Sequence, residues 1–248
     1  MKVPVENAMN DQLEKVRHKW GMVIEQDLCT GCQACVVACA MENNTSFVGE
    51  KDAGYGRGMT WIRIERFWEG EYPLVKTTPF QPVICQQCSK APCEPVCPVF
   101  ASIHSEGQQI NMQVYNRCVG TRYCANNCPY QARVFNWRDY ERPTPLENQF
   151  NPSVTVRRRG IMEKCNFCLQ RIVSGEDKAK SEARPPLDGE IVTACMQVCP
   201  TNAIVFGRLD DPDSQVSQLA RSGRGVQLLG DLGTEPAVTY LKGGSSNV

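Results

Sequence analysis

The sequence predicts an α+β protein built from one small unit used four times: a short strand, a cysteine loop, a short helix and a second strand. Three observations carry the prediction. The chain of 248 residues holds 15 cysteines, and they fall into four tight groups. Three of the groups close on one string, Cys97-Pro-Val-Phe-Ala, Cys128-Pro-Tyr-Gln-Ala and Cys199-Pro-Thr-Asn-Ala, each followed by a short run of strand character. Aromatic residues are only 8% of the chain, so an ordinary apolar core would be thin and something else must help hold the fold.

Taken in chain order, a strand-like run from Met22 to Glu25 leads into the first group, Cys29, Cys32, Cys35 and Cys39. Gly31 relieves crowding where main-chain amides approach a bound group, and Ala34 and Ala38 allow close packing. Met41 to Pro82 is a long insertion with turns at Gly54, Gly56 and Gly58 and a strand expected over Thr60 to Glu65. The second group, Cys85, Cys88, Cys93 and Cys97, is followed by a strand at Ser102 to His104. Ile110 to Tyr115 leads into the third group, Cys118, Cys124 and Cys128, and Arg133 to Asn136 leaves it. Glu141 to Arg159 is polar and proline-containing, which predicts an extended link. The fourth group is Cys165, Cys168, Cys195 and Cys199, with Ser174 to Glu190 expected as a surface loop inside it and a strand at Ile204 to Gly207 after it. Arg208 to Val248 has no cysteine and many Gly, Ser and Asp residues, which predicts disorder or an arm that orders against a partner.

Disulfides fit this pattern poorly, because the count is odd and cysteines two or three apart on one turn are not built to bridge. A lone pair such as Cys165 and Cys168 would suit zinc, but four groups with further cysteines at ferredoxin spacing point to iron and sulfide. A Cys-x2-Cys-x2-Cys loop wraps three corners of a cluster, and in two-cluster ferredoxins the last cysteine, usually followed by proline, ligates the other cluster. Two such units make a bacterial-type dicluster ferredoxin, so four imply two ferredoxin-like modules with insertions and an extended C-terminal arm. The third group departs from the rule: Cys118-Val-Gly-Thr121-Arg-Tyr-Cys124 has Thr121 where a cysteine belongs. A hydroxyl is a poor iron ligand beside thiolates, so this loop is expected to serve a [3Fe–4S] cluster and the other cysteines three [4Fe–4S] clusters. The alternative is a fourth iron holding water or hydroxyl.

Longer strings narrow the reading. Val114 to Tyr130, Thr155-Val156-Arg157 with Gly160 to Cys165, and Cys199 to Gly207 resemble the iron–sulfur subunit of alternative complex III and of the related quinone reductase complex (Qrc), within the complex iron–sulfur molybdoenzyme superfamily. The similarity runs from about residue 21 to about residue 213. It implies that the first and fourth groups fold together, as do the second and third: module 1 over 21–82 with 160–207, module 2 over 83–140, a link over 141–159, an N-terminal extension over 1–20 and an arm over 208–248. It also implies the ligand sets. One [4Fe–4S] cluster takes Cys29, Cys32, Cys35 and Cys199, a second takes Cys39, Cys165, Cys168 and Cys195, and a third takes Cys85, Cys88, Cys93 and Cys128. The [3Fe–4S] cluster takes Cys97, Cys118 and Cys124. The implied partners are a polysulfide-reductase-type integral membrane quinone subunit, a molybdopterin-type or derived large subunit and a multihaem cytochrome c. The implied function is relay of electrons between a quinone site and a cytochrome or catalytic subunit. The wire of a molybdopterin reductase or dehydrogenase, and a non-enzymatic redox sensor, are the alternatives.

Composition excludes other classes. Lys+Arg and Asp+Glu each total 27, so no net field points to nucleic acid or an anionic membrane surface. The longest apolar runs, such as Cys35 to Met41, fall far short of the roughly 20 residues that cross a bilayer. Met1 to Asn10 shows no secretion signal, so the resemblance implies a peripheral position reached by co-export to the periplasmic face, with the cytoplasmic face as the alternative. No residue is expected to do acid–base or nucleophilic work: His18 reads as surface and His104 as structural. Arg157, Arg158 and Arg159 read as a solvated face or a docking patch. Arg117, Arg122 and Lys164 flank cysteines, where a positive charge either raises a cluster's potential or serves solubility.

Overall fold

Small sheets tie the exits of three of the four cysteine groups to the entry of another. The computed structural model describes residues 18–242 apart from 75, 78, 106 and 143. The strands are β1 (Trp20–Glu25), β2 (Arg63–Glu65), β3 (Trp68–Glu69), β4 (Lys76–Thr77), β5 (Gln81–Val83), β6 (Ser102–His104), β7 (Asn111–Gln113), β8 (Arg133–Phe135), β9 (Met162–Lys164), β10 (Ile204–Arg208), β11 (Gly225–Val226) and β12 (Val238–Leu241). The helices are α1 (Ala34–Glu42), α2 (Glu50–Gly54), α3 (Tyr123–Asn126), α4 (Leu169–Ser181), α5 (Ala194–Gln197) and α6 (Gln215–Ala220).

β6, leaving the second group, pairs antiparallel with β7, entering the third; β8, leaving the third, pairs with β9, entering the fourth. β10, leaving the fourth group, returns to β1, entering the first, with Ile24 opposite Ile204 and Trp20 opposite Arg208. β2 pairs with β5 inside the insertion and delivers the chain to the second group, and the β3–β4 ribbon lies between them. The strand predicted over Thr60 to Glu65 thus forms at its second half. The apolar core runs through the cysteines rather than beside them: Trp20 stacks on Phe206 at 5.4 Å between centroids, Phe167 meets Phe206 edge-on, and buried Cys35, Cys39, Cys165 and Cys195 belong to the same cluster.

Four expectations are corrected. The arm predicted over 208–248 is folded as far as residue 242, and residues 243–248 lie outside the described set. β12 enters the main sheet parallel to β1 and antiparallel to β11, with all four of its residues buried. The short apolar run Ala237–Leu241 meets its main-chain needs there: Ala237 donates to the Gln86 carbonyl, and Ser89 and Lys90 donate to the carbonyls of Glu235 and Thr234. The surface loop predicted over Ser174 to Glu190 begins instead inside α4, whose inner face carries Ile172, Glu176 and Ala179. That face looks polar in sequence because Glu176 is buried to accept from the Trp20 indole at 3.3 Å. His18 is buried beside Asp210 rather than on the surface, at 3.3 Å. Arg157 is no part of a solvated run or docking patch: its side chain is 0% exposed and pairs at 2.6 Å with Glu163, itself 1% exposed, while Arg158 and Arg159 stay exposed. The N-terminal extension predicted over 1–20, and with it the segment judged for a signal, lies outside the described residues as far as residue 17.

Candidate metal centre

Each cysteine loop is a main-chain device before it is a ligand set. Two residues after the first cysteine, every loop turns through the left-handed region: Gly31 at φ 68°, Gln87 at 48°, Gly120 at 75° and Phe167 at 56°. The three Cys-Pro strings repeat a second turn of the same kind, with Phe100, Gln131 and Asn202 at φ 50°, 49° and 54°. That turn brings the alanine N–H back onto sulfur: Ala101 donates to Cys97 Sγ at 3.1 Å and Ala203 to Cys199 Sγ at 3.3 Å, and Ala132 bonds Cys128 likewise. Burial opposes ionisation of Cys97 and Cys199, yet main-chain N–H donors and the Arg133 charge at Cys97, and the Thr201 hydroxyl with main-chain N–H donors at Cys199, outweigh it and hold both thiols below their usual range.

The thiols gather in sets drawn from distant parts of the chain. Burial pushes Cys35 up to about 11, and the charges of Cys29, Cys32 and Cys199 add to it. Burial raises Cys39 strongly, followed by Cys165, Cys195 and Cys168. Burial lifts Cys88 to about 12, with Cys85, Cys128 and Cys93 as charged neighbours and a hydrogen bond with Thr234 opposing. Burial also raises Cys124, where Cys93 and Cys118 act in the same direction; the charged neighbour of Cys97 is Arg133. Fields pass between sets as well: Cys35 acts on Cys195, Cys85 on Cys165, and Cys93 on Cys124. Each set of thiols thus lies within electrostatic reach of a thiol of another set. All 15 cysteines are free thiols. Among the described residues, no three His, Cys, Asp or Glu side chains converge closely enough to hold one metal ion.

Two buried cations test what these sets can hold. Lys164 is 0% exposed and donates only to the carbonyls of Asn111 and Cys165. Arg133, 7% exposed, donates to Gln113, Ser102, Asn111 and, at 2.9 Å, to Cys93 Sγ. Among the described residues neither has a carboxylate within ion-pair distance, unlike Arg157. A buried charge without a counter-charge is costly, and a thiolate-held iron–sulfur cluster is anionic, so the residues present fit such a group. The burial of Lys164 also removes the solubility reading for it, whereas Arg117 and Arg122 are exposed.

Thr121 occupies the place of Cys32 in a loop of the same shape. In both loops the chain leaves a 3-10 turn, passes a left-handed glycine, and starts its helix from a left-handed residue, Gln33 or Arg122, each at φ 61°. Gly120 has no room for a side chain, since a Cβ would fall 2.4 Å from the Gly160 carbonyl oxygen. Thr121 opens on a cleft of about 1210 Å³ that Arg57, Arg122, Phe135 and Trp137 also line. Sequence reasoning missed Arg133, Asn111, Ser102, Asn43 and Thr234, all of which touch cysteine sulfur or hold a group that does. One signal was present: Arg133 stands at the repeat position that Ser102 and Ile204 occupy after the Cys-Pro-x-x-Ala turn, an inward position where an arginine needs a reason.

Comparison with known proteins agrees with this chemistry. A family model described as a 4Fe-4S dicluster domain matches residues 117–203, and one described as a 4Fe-4S binding domain matches residues 20–41. The chain is 43% identical over 227 residues to the menaquinone reductase iron–sulfur cluster-binding subunit of Nitratidesulfovibrio vulgaris, covering 90% of this chain and 88% of that protein. It is 33% identical over 248 residues to the Hdr-like menaquinol oxidoreductase iron–sulfur subunit 1 of Archaeoglobus fulgidus, covering 92% and 86%. It is 32% identical over 250 residues to the arsenate respiratory reductase iron–sulfur subunit ArrB of a Shewanella species, covering 90% and 95%.

Proposed function

The chain belongs to the family of iron–sulfur electron-transfer subunits of quinone-linked and molybdopterin-type reductases, and from that premise we propose that it is a four-centre relay with three [4Fe–4S] clusters and one [3Fe–4S] cluster. The ligand sets are Cys29, Cys32, Cys35 and Cys199; Cys39, Cys165, Cys168 and Cys195; Cys85, Cys88, Cys93 and Cys128; and, for the three-iron cluster, Cys97, Cys118 and Cys124. Pairing of the first set with the second, and of the third with the fourth, makes two ferredoxin-like modules. The observation that carries the reading is the Thr121 loop, which has the backbone of the Cys32 loop with a hydroxyl where the thiol stands. The bound clusters supply one-electron chemistry. This chain's residues fix the sulfurs in sets, donate N–H groups to them and place Arg133 and Lys164 between sets.

The donor or acceptor at one end is a quinone held by an integral membrane subunit, and at the other a molybdopterin-type or derived large subunit or a multihaem cytochrome c. The menaquinone and menaquinol relatives support the first end. No helix among the described residues is long and apolar enough to cross a membrane, so attachment is assigned to partners, with the periplasmic face reached by co-export. Fractionation of cells lacking the partner that carries a signal tests co-export: retention of this chain on the outer face would refute it. The test of the relay is EPR of the complex in its oxidised and its reduced state, together with iron and acid-labile sulfide. About fifteen irons per chain and a three-iron signal that disappears in Thr121→Cys in favour of a four-iron signal are expected. A colourless or zinc-loaded preparation would refute it.

A further inference from the structure

We propose that Arg133 sets the potentials at the junction between the Cys85, Cys88, Cys93 and Cys128 set and the Cys97, Cys118 and Cys124 set, raising both, and the former more. The proposal rests on the cluster reading above and names the residue that governs one of its hops.

Arg133 reaches the junction because the Cys-Pro turn delivers it there. Once Ala132 has returned its N–H to Cys128, the next side chain on β8 points inward. Apart from Cys93 Sγ, the groups that clamp its guanidinium are neutral. Nη1 donates to Gln113 Oε1 at 2.7 Å; Nη2 donates to Ser102 Oγ, to Asn111 Oδ1 at 3.3 Å and to Cys93 Sγ at 2.9 Å. Ser102 Oγ itself donates to the same sulfur at 3.5 Å. Among the described residues no carboxylate lies within ion-pair distance of the cation, Glu94 standing one side chain away behind the Asn111 amide, and its burial leaves little water to screen it. Its field reaches Cys97 and Cys124 on one side and Cys85 and Cys93 on the other.

The sign follows from charge. The hop moves one electron: one centre is oxidised as its neighbour is reduced, with no bond made and no proton moved. Reduction adds negative charge, so a fixed cation stabilises the reduced form and raises the midpoint potential. Both sets receive a hydrogen bond from Arg133, on Cys93 at 2.9 Å and more weakly on Cys124, so the Cys93 set gains more, because a donor to sulfur favours the more charged state. Arg133 touches sulfur but takes no electron itself; it is a tuning residue.

The experiment is redox titration of the intact complex followed by EPR, comparing wild type with Arg133→Gln, Arg133→Lys and Gln113→Glu. Arg133→Gln removes the charge, and Gln113→Glu keeps the arginine but sets a carboxylate against it. Both should lower the midpoint of one four-iron component and, by less, that of the three-iron signal. Arg133→Lys should fall between them and wild type. Iron, sulfide and line shapes should stay at wild-type values. If Arg133→Gln loses iron, Gln113→Glu decides. Fully loaded variants that titrate at wild-type midpoints would overturn the role of Arg133 while leaving the relay intact; a wild-type complex without iron–sulfur signals would overturn the relay itself.

Discussion

The Cys32 loop and the Thr121 loop are the same piece of backbone with different side chains at one corner. Each leaves a 3-10 turn, bends at a left-handed glycine and starts a helix from a residue at φ 61°. What differs lies outside the corner. The Cys32 loop runs into α1, a helix of nine residues, because Cys39 is not followed by proline. The Thr121 loop runs into α3, four residues long, and is stopped by Cys128-Pro129. With no Cys-Pro turn to send an alanine N–H to its sulfur, Cys39 receives the Asn43 side-chain amide at 3.6 Å instead. The shared backbone is thus dictated by the left-handed glycine and the cap, and the ligand at the corner is free to change without moving it.

The sharpest way to break that equivalence is to exchange the corners. Cys32→Thr should cost one iron and turn a four-iron EPR signal into a three-iron one, the mirror of Thr121→Cys; loss of the whole cluster in both would show that the loops are not interchangeable. Next in size is the glycine. Gly120→Ala drives a Cβ into the Gly160 carbonyl at 2.4 Å, whereas Gly31→Ala meets the Phe80 ring at 2.8 Å, which can turn aside. Thermal unfolding should register on the order of 3 kcal/mol for the first and about 1 kcal/mol for the second. Equal losses would place the strain in φ alone.

A smaller effect tests the covering of the neighbouring set. Tyr130, two residues past Cys128, shares a buried 2.5 Å hydrogen bond with Thr234. Tyr130→Phe should cost about 1–2 kcal/mol in chemical denaturation, as a lost buried partner does, and leave iron content unchanged. The smallest is a pH effect confined to the strand feeding the Cys32 loop. Burial works against ionisation of Asp210, but the Arg208 guanidinium, the Lys19 N–H and His18 outweigh it and hold the carboxyl below its usual range. Its contribution is therefore complete above the unfolded value near 3.8 and fades as pH falls through the lower folded value. Hydrogen exchange along β1 should rise below about pH 4 in wild type and be less pH-dependent there in Asp210→Asn.

Much of the iron–sulfur reading was legible from the chain alone, because cysteine spacing reflects the loops that 4Fe-4S domains are built from. The repeat Cys-Pro-x-x-Ala announced the repeated unit and the strand that follows it, though not the N–H that its turn returns to sulfur, and Thr121 announced the odd corner. What stayed hidden has physical causes. β12 is four residues among glycines and serines, and its burial comes from partners some 150 to 215 residues earlier in the chain, Pro82, Gln86 and β1, that no local pattern reveals. Glu176 disguised the inner face of α4 by being both charged and buried. Arg157 looked like one of three surface charges, and only its distant fold neighbours, Glu163 and the ring of Trp61 at 5.4 Å, separate it from Arg158.

The placement of β12 also orders assembly in time. Every cysteine group is synthesised before the strand that closes over Gln86 to Lys90 and completes the sheet begun by β1. The flank over Gln86 to Lys90 thus stays open until the last part of the chain has been made. The earliest strand waits for the latest one, and the main sheet is completed by a piece of polypeptide that carries no cysteine.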